Sequence, residues 1–208
     1  MSNTPDEIRS REDNVNFPGF EYPMYFCPLR NKHKPAMIKA LWASHKDLKG
    51  WIGWARYFRS WNLKAINKFL DDHINPRPPD QHFAFFINKE IVGMGSLIQS
   101  FSLQSAQVAL WTTTGYQGKG IGTAIVQTLE DVAFNVWGYH TLYYEHDSQN
   151  EASKHLAQKC GFKLSSTKNV EKDAENESGF WFSWKKHRPE GLPPAIIQGR
   201  PIEDFTQP

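Results

Sequence analysis

The sequence predicts an α+β domain, because strand-like runs and amphipathic helices alternate along its 208 residues. Residues 82–87 and 90–101 resemble two strands of a hairpin joined by a turn at residues 88–89. Residues 105–114 form a further strand that leads through glycines into an amphipathic helix. A chain of this length is one domain with a sizeable core.

The N-terminal third is predicted to be a tail followed by a strand and two helices. Residues 1–22 are polar and form the tail, and residues 25–30 form the first strand. Pro35 can occupy the first turn of a helix that runs to about residue 45. The second helix spans residues 60–74, with apolar side chains on one face and prolines after its end.

The C-terminal half continues the alternation and ends in a second tail. Its apolar spacing and turn residues predict a helix at 120–137, a strand at 141–145, a helix at 150–160, a polar hairpin loop at 168–177 and a strand at 179–184. We therefore divide the chain into a tail at 1–22, a domain at 23–186 and a second tail at 187–208.

Residues 117–123 read QGKGIGT and stand where the strand passes into the helix. The first turn of a helix has unpaired N–H groups and the positive end of the macrodipole, and glycine lets a phosphate approach closely. A dinucleotide fingerprint does not fit, because the sixth position counted from Gly118 is Thr123. A Walker loop does not fit either, since Gly120 follows Lys119. A purely structural glycine turn remains the alternative.

Three motifs resemble one enzyme family. Gln117, Gly120 and Gly122 match [RQ]-x-x-G-x-G, which resembles the acetyl-CoA pyrophosphate loop of the GCN5-related N-acetyltransferases (GNAT). Residues 150–162, NEASKHLAQKCGF, are similar to the family's N-x-x-[AS]-x-x-L-x-x-x-x-G-F segment. Residues 44–54, SHKDLKGWIGW, resemble the HL-x-x-W-x-x-W region of Rim-type ribosomal-protein N-terminal acetyltransferases.

This resemblance, which covers roughly residues 25–184, implies both a fold and an activity. The fold is a central, mixed and mostly antiparallel twisted sheet of about six to seven strands flanked by about four helices. The activity is acetyl transfer from acetyl-CoA to a primary amine, by direct attack on the thioester. The implied acceptor is a peptide N-terminal α-amine or a similar amine.

The resemblance also implies which residues hold acetyl-CoA. The glycine loop would bind the pyrophosphate, and the end of the preceding strand would offer backbone N–H groups to the cofactor. Asn150 would contact the pantetheine arm, and it also suits a helix N-cap. The implied set is Thr112, Thr113, Thr114, Gln117, Gly118, Lys119, Gly120, Ile121, Gly122, Thr123 and Asn150.

The groups that handle protons depart from the family pattern. Many family members carry a tyrosine as general acid after the motif's leucine, and this chain has Ala157 there. Ser153 and Tyr116 are the candidate proton donors to the thiolate, with the hydroxyls of residues 143 and 144 behind them. Glu145 and His146 are the candidate bases, and only one of them can face the cleft because strand side chains alternate.

The acceptor is expected to lie against the aromatic residues Trp51, Trp54 and Tyr57. At pH 7 an α-amine of pKa about 8 is neutral roughly one time in ten, whereas a lysine of pKa about 10.4 is neutral about once in 2,000. Without a dedicated acid and base, the chain is better suited to an α-amine. Packing of these aromatic residues between helices is the structural alternative.

Composition narrows the partners. A net charge of +2 gives no reason to expect nucleic acid or an anionic membrane. The 2 cysteines lack metal-ligand spacing, and we expect no metal. No apolar run suits a signal peptide or a membrane span, which predicts a cytoplasmic protein. Apolar residues in the C-terminal tail leave a homodimer open.

Two other functions stay open at this point. One is a small-molecule amine acetyltransferase acting on a polyamine, an amino sugar or an antibiotic. The other is a non-catalytic acyl-CoA-binding module, which the absent tyrosine at Ala157 favours.

Overall fold

The computed structural model describes residues 13–15, 23–52, 55, 63–76, 79–100, 104–170 and 178–191, with the backbone alone for 13–15. The strands are β1 Asp13–Val15, β2 Met24–Pro28, β3 Gln81–Ile87, β4 Glu90–Gln99, β5 Ser105–Thr112, β6 Thr141–Asp147, β7 Lys163–Asn169 and β8 Phe180–His187. The helices are α1 Lys34–Trp51, α2 Leu63–Ile74, α3 Ile121–Asp131 and α4 Glu151–Lys159. A 3-10 turn at Asn31–His33 precedes α1, and a π-helical turn at Val132–Val136 extends α3.

The strands form one 8-stranded sheet in the order β1-β2-β3-β4-β5-β6-β8-β7. Every neighbouring pair is antiparallel except β5 and β6, which are parallel. This pair is parallel because helix α3 carries the chain back to the end of the sheet where β5 begins, so that β6 runs in the same direction as β5. The predicted fold class, α+β with a mixed and mostly antiparallel sheet, is confirmed.

The structure adds two strands that the sequence interpretation lacked. β1 lies within the predicted N-terminal tail and pairs with β2. β7 pairs with β8 and reaches into the predicted polar loop. All 7 residues of β7 are exposed, so no alternation of apolar and polar side chains marks it in the sequence. Helix α1 also extends to Trp51, beyond its predicted end at residue 45.

Helices cover both faces of the sheet and define two apolar cores. Helices α3 and α4 pack on one face, over the core that contains Phe85, Ile125, Leu129 and Leu142. Helices α1 and α2 pack on the other face, over the core that contains Met37, Leu41, Ile66, Leu70 and Trp111.

Helix α3 lies unusually close to the sheet because β4 carries glycine where the helix crosses it. A Cβ atom on Gly93 would lie 2.6 Å from the Trp111 carbonyl oxygen and 2.7 Å from Ile125 Cδ1. A Cβ atom on Gly95 would lie 2.8 Å from Ile125 Cγ2. These glycines fix the depth of α3, and therefore the position of its N-terminus beside β5.

Within the described residues, no helix is long and apolar enough to cross a membrane.

Candidate active site

Strands β5 and β6 pair only over half of their length and then separate. Their last paired residues are Val108 and Tyr144. On its other edge β5 pairs with β4 through residue 112, and Thr113 N–H donates to the Val92 carbonyl at 2.9 Å. Because donors alternate along an antiparallel strand, this register points the N–H groups of Leu110 and Thr112 toward the gap. The gap opens into a cleft of about 850 Å³.

The glycine loop closes one end of this cleft. Gly118 and Gly120 have φ of 70° and 83°, in the left-handed region that favours glycine. The Gly120 carbonyl accepts the Ala124 N–H at 3.0 Å, so the N–H groups of residues 121–123 have no intrahelical acceptor. The first turn of α3 holds no acidic residue. These donors and the helix dipole suit a pyrophosphate.

Gly122 has a packing role beside the loop. A Cβ atom there would lie 3.3 Å from Leu156 Cδ2 and 3.8 Å from Leu110 Cδ1. The lack of a side chain therefore lets the first turn of α3 approach α4, so that both helices border the cleft.

A set of hydrogen bonds, which we call the α1 brace, ties the glycine loop to helix α1. Thr114 N–H donates to Ser44 Oγ at 2.9 Å. Asp47 Oδ2 accepts from the Thr114 hydroxyl at 2.6 Å and from Gln117 Nε2 at 3.3 Å. The Gln117 side chain thus supports the loop from α1 in this structure.

The α1 brace changes the roles predicted for the threonines. The Thr113 hydroxyl donates to the Ile91 carbonyl at 2.9 Å, so both donors of Thr113 serve the sheet. Thr114 uses both of its donors on α1. Of the three threonines, only Thr112 directs its N–H into the gap. The N–H group of Leu110, which the sequence interpretation missed, points into the gap as well, because N–H groups two residues apart on a strand point to the same side. Lys119 donates to the Gly115 carbonyl at 2.8 Å and extends along the loop.

Tyr144 and Ser153 form a hydroxyl pair on the α3/α4 side of the cleft. Tyr144 is 5% exposed, and its hydroxyl hydrogen-bonds to Ser153. Burial raises the pKa of Tyr144 to about 12, against the lowering effect of the Ser153 hydrogen bond. Asn150 Oδ1 accepts the Ser153 N–H at 3.0 Å, which confirms Asn150 as the N-cap of α4.

The two candidate bases lie on opposite faces of β6. Tyr144 belongs to the core under α3, so Glu145 lies on the α1/α2 face and His146 on the other. Glu145 Oε1 accepts from Lys168 Nζ at 2.6 Å. His146 Nδ1 donates to the Asp147 carbonyl at 2.7 Å, and its Nε2 accepts from Trp184 Nε1 at 2.9 Å. Both ring nitrogens of His146 therefore have hydrogen-bond partners in this structure, and its role as a base stays a prediction.

Tyr116 is also placed away from the predicted role. Its hydroxyl donates to Glu90 Oε2 at 2.8 Å, and this carboxylate raises the pKa of the phenol. Tyr116 is absent from the described residues that line the cleft. The role of Tyr116 as a proton donor stays a prediction.

The wall of the cleft on the α1/α2 side combines apolar and polar side chains. Trp51 lines it and is 48% exposed. The predicted acceptor residues Trp54 and Tyr57 lie outside the described residues. His73 and His82 line the same wall, and no sequence motif indicated them. The cleft is thus open to an apolar or aromatic acceptor beside two imidazoles.

This fold and cleft are typical of enzymes that transfer acyl groups. Comparison with known proteins identifies the family. Residues 39–162 match the model of the acetyltransferase (GNAT) family, and the chain belongs to that family. Spermidine N(1)-acetyltransferase from Escherichia coli (strain K12) is 26% identical over 100 residues, which cover 48% of this chain and 53% of that protein. The match spans about half the length of this curated relative.

Solved structures share the fold. RimL, a ribosomal L7/L12 α-N-protein acetyltransferase in complex with coenzyme A, has a TM-score of 0.71 at 17% identity, covering 82% of this chain and 96% of RimL. The microcin C7 self-immunity acetyltransferase MccE, in complex with acetyl-CoA and AMP, has a TM-score of 0.70 at 16% identity, covering 89% of this chain and 98% of MccE.

Proposed function

We propose that the protein is an acetyl-CoA-dependent N-acetyltransferase whose acceptor is a primary amine, foremost a peptide N-terminal α-amine. The observation that carries this proposal is the gap between β5 and β6. It exposes the Leu110 and Thr112 N–H groups and ends at the acid-free N-terminus of α3. Membership of the acetyltransferase family and the fold shared with RimL support the same reaction.

The residues present fit acetyl-CoA, which supplies the reactive thioester. The N–H groups of residues 121–123 would receive the pyrophosphate, and each hydrogen bond to a charged oxygen contributes about 1.5–3 kcal/mol. The N–H groups of Leu110 and Thr112 would donate to amide carbonyls of the pantetheine arm, which would lie along β5 in the place of a neighbouring strand. Gly118 and Gly120 leave the approach free, since a Cβ atom on either would meet open space.

Tyr144 and Ser153 would stabilise the departing thiolate. A phenol with a pKa of about 12 is a weaker acid than a thiol near about 8.5, so full proton transfer would cost about 5 kcal/mol. A hydrogen bond to the thiolate requires no such transfer. We therefore assign the pair a hydrogen-bonding role, with Ser153 on the exposed side.

The acceptor would enter along the wall that contains Trp51. An α-amine is neutral far more often at pH 7 than a lysine side chain, a difference of about 3–4 kcal/mol. Glu145 faces this side, and Lys168 pairs with its carboxylate. Asp47 takes part in the α1 brace and Glu145 pairs with Lys168, so both carboxylates already have hydrogen-bond partners.

A small amine is the second candidate, because the curated relative is a spermidine acetyltransferase. We place the reaction in the cytoplasm, which the reduced thiols of Cys27 and Cys160 favour. The domain at 23–186 and a homodimer remain predictions.

Release of free thiol from acetyl-CoA tests the proposal, with N-terminal peptides, N-terminally blocked lysine peptides and spermidine as acceptors. Faster release with the free N-terminal peptide is the expected result. Preference for spermidine would support the small-amine alternative. Tight acetyl-CoA binding without release above hydrolysis would instead identify a non-catalytic binding module.

A further inference from the structure

His73 and His82 form an imidazole pair on the acceptor side of the cleft. Their ring centroids lie 4.5 Å apart, with an interplanar angle of 43°. His82 is 7% exposed, and both residues line the cleft. Protonating two imidazoles this close together is costly, because both positive charges would lie in one poorly hydrated region.

Hydrogen bonds determine where each ring can accept a proton. His73 Nδ1 lies 2.8 Å from the Phe69 carbonyl oxygen. A carbonyl can only accept, so the proton of neutral His73 sits on Nδ1 and the lone pair on Nε2. His82 Nδ1 lies 2.7 Å from Ser96 Oγ. Within the described residues, Nε2 of neither ring has a hydrogen-bond partner.

The sheet register places this pair in line with the point where β5 and β6 separate. His82 is opposite Ser96, and Ser96 is opposite Ala109. Ala109 directly follows Val108, the last residue of β5 that pairs with β6. Two strand spacings of about 5 Å therefore separate His82 from the start of the gap. An imidazole side chain, one bridging water and the amine can together span this distance, which is about 10 Å in all.

The environment keeps both rings neutral. Burial, and to a smaller extent the neighbouring His73, lower the pKa of His82 to about 4. Burial also lowers the pKa of His73, against the Phe69 hydrogen bond and the Asp72 charge, which both raise it. The carboxylates that line the same cleft are Asp47 from α1 and Glu145 and Asp147 from β6. Both imidazoles are therefore uncharged acceptors at pH 7.

We infer that His73 Nε2 accepts the proton of the attacking amine, directly or through one water, and that Ser96 and His82 position His73. This inference rests on the proposed acetyl transfer. The amine nitrogen bonds to the thioester carbon, the C–S bond breaks and its electron pair leaves on sulfur. The nitrogen loses its proton to His73, which passes it to solvent. The thiolate later takes a proton from water.

The other candidates for this role are less suitable. His146 has both nitrogens occupied and lies on the opposite face of β6. Glu145 faces the acceptor side but is paired with Lys168, so its oxygens are already neutralised by a cation. Of these three described residues, His73 combines a lone pair of fixed position with a place on the acceptor wall.

The test compares His73→Gln, His82→Gln and the exposed control His140→Gln with the unchanged protein, using an N-terminal peptide. We expect His73→Gln to lower kcat about 100-fold with unchanged acetyl-CoA Kd, since general base catalysis contributes 10²–10⁴-fold. Its kcat should rise with pH between 6 and 9, where that of the unchanged protein is flat. Added imidazole should partly restore the kcat of His73→Ala and should not raise the kcat of the unchanged protein. The kcat of His82→Gln should fall less than that of His73→Gln, and the kcat of His140→Gln should not change.

The outcomes separate this inference from the proposed function. Transfer by the unchanged protein together with a His73→Gln kcat within threefold overturns the role of His73 alone. A larger loss in His82→Gln than in His73→Gln overturns the choice between the two rings. Absence of transfer by the unchanged protein to every amine overturns the proposed function and, with it, this inference.

Discussion

Thr114 N–H donates to Ser44 Oγ at 2.9 Å, across 70 residues of chain. The bond joins the end of β5, where the phosphate loop begins, to the helix that borders the acceptor wall. Asp47 reinforces it by accepting from Thr114 and Gln117. The two halves of the proposed reaction site are thus held against each other by side chains of one helix.

Asp47→Ala tests the α1 brace. The change removes two hydrogen bonds that hold the loop, and each contributes about 1 kcal/mol. We expect the Kd for acetyl-CoA, measured by calorimetry, to rise about tenfold. Asp71→Ala is the matched control, because Asp71 is an exposed carboxylate of α2 that pairs with Lys34. Equal Kd values for the two variants would show that the loop keeps its shape without Asp47.

A charged side chain at Gly120 tests whether the glycine loop binds the pyrophosphate. Gly120 has φ of 83°, and a Cβ atom there would meet open space. Gly120→Asn and Gly120→Asp therefore impose the same backbone strain and differ in charge alone. We expect Gly120→Asp to bind acetyl-CoA about 100-fold more weakly than Gly120→Asn, because the carboxylate would oppose the pyrophosphate. Similar affinities in the two folded variants would mean that the loop is only structural.

Much of the fold follows from residue patterns. The hairpin of β3 and β4, the strand β5 and the helix α3 carry clear periodicity, and all four are confirmed. The sequence did not predict β7, because its side chains are exposed on both faces. It did not predict β1, because three residues are too few to show a periodic pattern. Their pairing is decided by neighbouring strands, which local sequence does not encode.

The candidate site was predictable only where a motif marks it. The glycine loop and Asn150 stand at recognisable spacings, whereas the α1 brace joins residues that are distant in sequence. His73 and His82 come from a helix end and a strand start, and only the packing of α2 on the sheet brings them together. The hydrogen bond between Trp184 and His146 could not be predicted either, because the two residues lie 38 positions apart on different strands.

Ser153→Ala and Tyr144→Phe test the hydroxyl pair. Each change should lower kcat about 10-fold with little effect on acetyl-CoA Kd, because the hydrogen bond forms mainly with the developing thiolate. Since the two hydroxyls bond to each other, the double variant should stay within threefold of the weaker single variant. Steady-state kinetics of the four proteins measure this coupling. Fully multiplicative losses would show that the two hydroxyls act separately.

Trp51→Ala tests the acceptor wall, with Trp42→Ala as its control. The two residues lie on α1 and are 48% and 45% exposed, but of the two only Trp51 lines the cleft. Loss of an aromatic contact surface should raise the acceptor KM about 10-fold and leave the acetyl-CoA Kd unchanged. Trp42→Ala should change neither. If both variants behave like the unchanged protein, the acceptor binds elsewhere.

The most direct test is to locate the acetyl group on a single peptide that carries both a free N-terminal α-amine and an internal lysine. The peptide is incubated at pH 7 with the protein and acetyl-CoA and then fragmented in a mass spectrometer. We predict acetylation of the α-amine, at least tenfold above the lysine, because far more of the α-amine is neutral. Acetylation mainly on the lysine, or no acetylation while acetyl-CoA stays bound, would contradict the proposed function.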